Sequence, residues 1–266
     1  MDTRNILDTV DSDLAERLVS RRTAVGSAFA TGLAFVSVPV TLAALARRAF
    51  AQGALPAQII NVLNFALTLE YLEAEFYNIG VATSGLIPAS ELDVFQQIQK
   101  HENAHVAFLL SVLGSAAVSK PTFDFTAGNG SGNGPFVGVF SNYETYKAVS
   151  QAFEDTGVRA YKGQAPNLIS NDAILRAALQ IHSVEARHAS EVRRLRGLKG
   201  WITGTQTDIP GTDAVYAGEA RLRQFGIFLP SVTRPNQDRI TEAFDEPLSM
   251  AQVLSIVAPF IVGSNP

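Results

Sequence analysis

Two four-residue stretches decide how this chain folds: Glu102-Asn103-Ala104-His105 and Glu185-Ala186-Arg187-His188. A spacing of three puts the Glu and the His of each stretch on one face of a helix. Thirteen Glu and four His scattered at random over this length give roughly 0.2 such pairs, so two make a pattern. The apolar seam through the first reads Phe95, Ile98, Glu102, His105, Leu109, Val112. Through the second it reads Ile174, Ala178, Ile181, Glu185, His188, Val192, Leu195. On both seams the Glu and the His are the only polar residues. A carboxylate on a buried stripe is costly unless something compensates it, and a divalent cation compensates it while fixing both side chains.

Two further seams supply one Glu each. Leu63, Leu67, Glu70, Ala74 and Tyr77 form the first, and Glu154, Val158 and Tyr161 the second. In both, a Tyr follows the Glu by seven residues. The chain thus repeats itself, with Glu70 and Glu154 separated by 84 positions and Glu102 and Glu185 by 83. Two copies of Glu…Tyr followed by Glu-x-x-His give six candidate metal ligands: Glu70, Glu102, His105, Glu154, Glu185 and His188. That is the constellation of a di-metal carboxylate bundle. Tyr77 and Tyr161 are the candidates to line such a site and give it a hydrogen bond or an electron. Glu73, one turn from Glu70, is the alternative to it, whereas Glu75 lies off the seam and reads as solvated. His101 and His182 miss the ligand positions and read as surface or supporting groups. Asp155 is either exposed or a hydrogen-bond partner of a ligand His.

Helical periodicity places these residues on four helices. The first runs from Pro56 to Ile79 before Gly80. The second starts at Ser90, with Asp93 completing an approximate capping box, and stops near Gly114. The third spans Asn142 to Lys162 before Gly163, and the fourth runs from Asn171 to near Gly197. The links at 80–89 and 163–170 are short. Residues 115–141, with Lys120-Pro121 and the run Gly128-Asn129-Gly130-Ser131-Gly132-Asn133-Gly134-Pro135, hold no helix and read as a flexible crossover. Short, long, short is the loop pattern of an all-α, ferritin-like four-helix bundle with a long crossover between helices 2 and 3. The bundle occupies 52–200. Residues 201–266 form an extension packed on it, with short helices around 215–225 and 249–262.

Composition narrows the chemistry. The 266 residues are 47% hydrophobic and 17% charged, enough to bury a large core, and the formal net charge is −4. There is no cysteine, which removes disulfides, thiol nucleophiles and iron–sulfur clusters. No stripe of Lys and Arg interleaved with aromatics offers a nucleic-acid surface. Residues 1–51 stand apart. Arg21-Arg22 precede 23–46, which carry no charge, and Ala49-Phe50-Ala51 follows. This resembles a Tat export signal cleaved near Ala51, except that Thr23-Ala24-Val25 replaces the usual continuation. The apolar run is also long enough to remain as a membrane anchor. Either reading puts the rest of the chain outside the cytoplasm, in the periplasm or cell envelope, soluble or anchored.

Further stretches carry a family likeness: Leu69-Glu70-Tyr71-Leu72-Glu73-Ala74-Glu75-Phe76-Tyr77, Ala152-Phe153-Glu154-Asp155, Ala160-Tyr161-Lys162-Gly163 and Ile240-Thr241-Glu242-Ala243-Phe244. With the six candidate ligands they resemble the ferritin-like superfamily, and within it the bacterial ferritin-like and desiccation-related proteins. The resemblance implies a di-iron or related site bridged by Glu102 and Glu185, with Glu70 and Glu154 terminal and His105 and His188 capping each metal. The donor set suits two Fe ions, with Mn or Zn possible, and its four carboxylates balance two divalent cations. Such a pair binds O2 or peroxide. The expected function is therefore that of an exported metalloprotein, a ferroxidase or a peroxide- or O2-dependent oxidoreductase in stress protection. The competing expectation is a non-catalytic, membrane-anchored subunit of a larger extracytoplasmic complex with a vestigial or empty site.

Overall fold

The structure is a computed structural model that describes residues 55–234 and 236–264. Four long helices carry it: α1 (Ala57–Ala82), α2 (Leu92–Leu113), α3 (Tyr143–Gln164) and α4 (Asp172–Leu195). α1 packs along α2 and α3 along α4, so the bundle is two helical hairpins joined by the crossover at 114–142. Among the described residues no helix is long and apolar enough to cross a membrane. The signal-or-anchor segment 1–51 lies outside the described residues.

Local chemistry explains three of the helix ends. Asn142 caps α3 by accepting from Thr145 N (2.9 Å), and Asn171 caps α4 by accepting from Ile174 N (3.1 Å); each satisfies an otherwise unpaired donor of the first turn. Gly114 ends α2 at φ 54°, a conformation that glycine adopts without penalty. Three expectations fail at the ends. α2 begins at Leu92, and the Ser90–Asp93 capping box does not form. Gly80 and Gly163 are interior to helices that continue past them. Gly80 lets the Tyr146 ring lie against α1, and Gly163 lets the Leu248 carbonyl approach α3. They are packing glycines, which a stop signal in the sequence cannot be told from.

The crossover is anchored rather than loose. The Asp124 carboxylate accepts from Thr126 Oγ1 (2.6 Å) and from the amides of Thr126, Gly130 and Gly132 at 2.9–3.0 Å. The same stretch pairs with the chain's end, where Asp124 N donates to Phe260 O and Val262 N to Thr122 O. A cluster of aromatic rings around Phe76, including Phe125, Phe140, Tyr146 and Phe153, fills the space between crossover and bundle.

Residues 201–264 pack on α3. Arg159, fully buried, donates to the carbonyls of Val215, Ala217 and Glu246 and pairs with Glu219 at 2.9 Å. Two short helices, α5 (Gln237–Thr241) and α6 (Met250–Val257), belong to this region, and Ser249 with Gln252 forms a full capping box on α6. The helix expected at 215–225 is absent. A short 3-10 turn ends at Tyr216, and Arg223–Gln224 pairs with Ile227–Phe228 in a two-residue hairpin. Its turn, Phe225-Gly226, has φ 50° and 83°, the left-handed pair that a tight hairpin requires.

Candidate metal centre

The helical period brings every seam residue inward. Glu70 on α1, Glu102 and His105 on α2, Glu154 on α3, and Glu185 and His188 on α4 are all buried, the four Glu completely. They meet at one level of the bundle. Glu70, Glu102, His105 and Glu185 place ligand atoms within 4.8 Å of one another, and so do Glu102, Glu154, Glu185 and His188. The two groups share Glu102 and Glu185, one from each Glu-x-x-His unit, so these two carboxylates lie between the halves.

Both imidazoles turn Nδ1 toward the carboxylates. His105 Nδ1 lies 3.2 Å from Glu70, 3.2 Å from Glu102 and 3.1 Å from Glu185. His188 Nδ1 lies 2.9 Å from Glu102, 3.2 Å from Glu154 and 3.6 Å from Glu185. On its outer side, His188 Nε2 meets His101 Nδ1 at 2.8 Å with the rings stacked. Burial, then the neighbouring His188, lowers the pKa of His101. The His101–His188 bond holds the His188 ring with Nδ1 facing inward. His182 is half-buried and stands in neither group.

The two tyrosines cross over. Tyr77 donates to Glu154 Oε1 (2.5 Å) and Tyr161 donates to Glu70 Oε1. Burial, then the neighbouring carboxylates, raises both phenols well above their usual pKa, so they remain donors. Asp155, by contrast, bonds no histidine. It takes a two-pronged bond from Arg193 (3.1 and 2.5 Å) and one from Tyr216 (2.8 Å), tying α3 to α4 and to the 201–264 segment.

Burial and mutual contact shift the titratable groups of the cluster in opposite directions. Burial, opposed by His105, pushes the Glu70 carboxyl up to about 8. Burial and the surrounding carboxylates hold Glu154 and Glu73 well above the usual range. Burial also acts on Glu102 and Glu185, but the imidazoles lying against them outweigh it and hold both low. The imidazoles are raised in turn by the carboxylates against the pull of burial. Glu102 Oε1 and both Glu185 oxygens are buried without a well-directed hydrogen bond. Orphaned acceptors in a ring of hard oxygen and imidazole donors fit divalent Fe, Mn or Zn.

A bundle of this topology with this buried cluster defines a ferritin-like protein. The family model of the ferritin-like domain matches residues 58–198, over half of the chain, and the chain belongs to that family. No curated protein matches it.

Of the two roles open to His101, surface or supporting group, the structure shows the second: its bond to His188 joins residues 87 positions apart. Glu73 was weighed only as a substitute for Glu70, yet both are buried beside the cluster.

Proposed function

We propose that this protein is a di-metal carboxylate oxidoreductase of the iron or manganese type, consuming O2 or peroxide as a ferroxidase or a peroxide-scavenging enzyme does. The observation that supports the reading most directly is the pair of four-residue groups sharing Glu102 and Glu185. Glu102 and Glu185 would be shared by two cations, with Glu70 and His105 completing one position and Glu154 and His188 the other. Two divalent iron or manganese ions held there would supply one electron each to an oxidant.

The protein's own groups do the remaining work. Tyr77 and Tyr161 fix the carboxylates of Glu154 and Glu70 by donating from Oη, so those oxygens keep their direction when charge changes at the site. His101 orients His188. The apolar residues one turn away, among them Leu109 and Ile181, are buried and keep bulk water from the carboxylates, which strengthens every charge interaction there.

The reading includes export, supported by Arg21-Arg22 ahead of the uncharged run 23–46. Metal analysis and melting of the full chain test the central part. About two ions per chain, and a melting temperature that rises with added Fe(II) or Mn(II), support it. A chain that carries no metal and is not stabilised by either ion refutes it. The N-terminal sequence of the mature protein tests export, and a start near Gln52 is the expected result.

A further inference from the structure

The hairpin within 221–234 shows features that the metal centre leaves unexplained. Phe225 at its tip is fully exposed, and Ile227, Phe228 and Val232 are exposed with it. No other stretch of this length among the described residues exposes as many large apolar side chains. Contiguous exposed apolar surface marks a contact with something else.

Phe225 also sits against the preference of its own backbone. Its φ of 50° suits asparagine or glycine in a tight hairpin turn and is unfavourable for an aromatic residue. A ring that is fully exposed gains no packing in return. Neither turn chemistry nor the core of this chain accounts for a phenylalanine there.

The base of the hairpin is fixed. Gln224 Nε2 donates to Glu246 Oε1 (2.5 Å), Arg221 pairs with Glu246 at 3.1 Å, and Leu229 N donates to Leu222 O (2.9 Å). The tip is thus presented in one shape, and docking it orders little further chain.

Charge distinguishes the partner. Residues 221–234 hold three Arg and no Asp or Glu, in a chain whose formal net charge is −4. Glu246 answers Arg221, but among the described residues Arg223 pairs with no carboxylate. Its guanidinium lies at the tip itself, donating to Gly226 O (3.1 Å), 5.3 Å from the centre of the Phe228 ring. A two-residue turn offers a folded protein little area to bury. An anionic bilayer needs no shaped pocket: apolar rings enter the acyl boundary while guanidinium groups stay among the phosphates.

We propose that the 221–234 hairpin is a membrane-contact element, with Phe225 entering an anionic lipid surface and Arg223 binding its headgroups. The contact is weak and reversible, as a single lipid anchor is, and it stands independently of the metal centre.

The test is fluorescence of the full chain carrying Phe225→Trp, with vesicles of phosphatidylcholine alone or mixed with phosphatidylglycerol. Wild type, whose one tryptophan is Trp201, gives the background. On the anionic vesicles the introduced indole is expected to shift to the blue and to be quenched by brominated acyl chains. Adding Arg223→Gln should lower its insertion equilibrium about fivefold. Phe225→Asn should keep or raise the melting temperature, because asparagine suits this turn. Quenching no greater than the wild-type background overturns the proposal. So does a blue shift present without lipid and unchanged by it, which marks a contact between copies or with another protein. A clear fall in melting temperature for Phe225→Asn would make the ring a part of the fold and overturns it as well.

Discussion

Tyr161 of α3 donates its hydroxyl to Glu70 of α1, and the reciprocal bond runs from Tyr77 of α1 to Glu154 of α3. The pair fixes the register of α1 against α3. Two helices running in opposite directions, each with Glu and Tyr two turns apart, satisfy both bonds at once, and a slip of one turn breaks both. Two of the six candidate ligands, Glu70 and Glu154, are thereby each oriented by a tyrosine from the other half of the repeat. Replacing Tyr161 with Phe leaves a buried Glu70 oxygen without its donor. Mn(II) binding is expected to weaken about tenfold, the usual cost of removing such a support, and calorimetry measures it. Tyr77→Phe should act equally on the Glu154 side, and unchanged affinity in both variants would show that the tyrosines serve packing only.

Metal-free protein should lose stability as pH rises. Glu70 is pushed up to about 8, and Glu73 and Glu154 are raised well above their normal values. His105 and His188 are raised as well. For all five the folded state holds protons that the unfolded chain releases from about pH 4.5 (Glu) or 6.5 (His) upward, so the stability they give is present at low pH and fades as pH climbs through the folded values. Glu102 and Glu185 act in the opposite sense, since both are lowered and lose their contribution only as pH falls below about 4.5. The melting temperature of chelator-treated protein should therefore fall between about pH 5 and pH 9. Saturating Mn(II) should flatten or reverse that slope, because the ion displaces the same protons. Scanning calorimetry across this range is the check, and a metal-free melting temperature that rises with pH contradicts the assignment.

Arg159 should be the costliest surface-remote residue to remove. Arg159→Met leaves the carbonyls of Val215, Ala217 and Glu246 without their donor and strands Glu219, which burial already pushes up to about 7. Breaking a buried pair from one side costs about 3–5 kcal/mol. Adding Glu219→Leu should recover part of the loss in urea unfolding. A single variant within about 1 kcal/mol of wild type would mean that 201–264 does not depend on this contact.

Gly80→Ala should destabilise, although alanine is the better helix former by about 1 kcal/mol. The added Cβ runs into the Tyr146 ring, which is itself packed among Phe76, Phe95 and Phe140. Overpacking of this kind costs about 1–3 kcal/mol, and thermal unfolding would reveal a gain instead if the ring had room to move.

The seams were legible because helical periodicity is local. Every residue read onto the α1, α2 and α3 faces is buried, and only Leu195 at the end of the α4 seam is partly exposed. The cluster followed from them, since four inward faces can meet only along the bundle axis. What the sequence hid depends on contacts between distant segments. Gly80 and Gly163 looked like stops because the need for space comes from Tyr146 and Leu248. Asp155 read as either exposed or a histidine's partner because only its position beside Glu154 was visible, while Arg193 and Tyr216, its actual partners, come from other elements. The missing helix at 215–225 gave way to a hairpin whose turn residues, Phe225-Gly226, include a phenylalanine with positive φ, a conformation that composition does not announce.

One measurement bears on the centre most directly: anomalous diffraction from crystals of the full chain soaked in Mn(II). Two peaks about 3.5–4 Å apart, between Glu102 and Glu185 and flanked by His105 on one side and His188 on the other, are the expected result. No peak at that level of the bundle under saturating Mn(II), or peaks only at surface carboxylates, would leave a ferritin-like scaffold whose buried acids and imidazoles are held by protons alone.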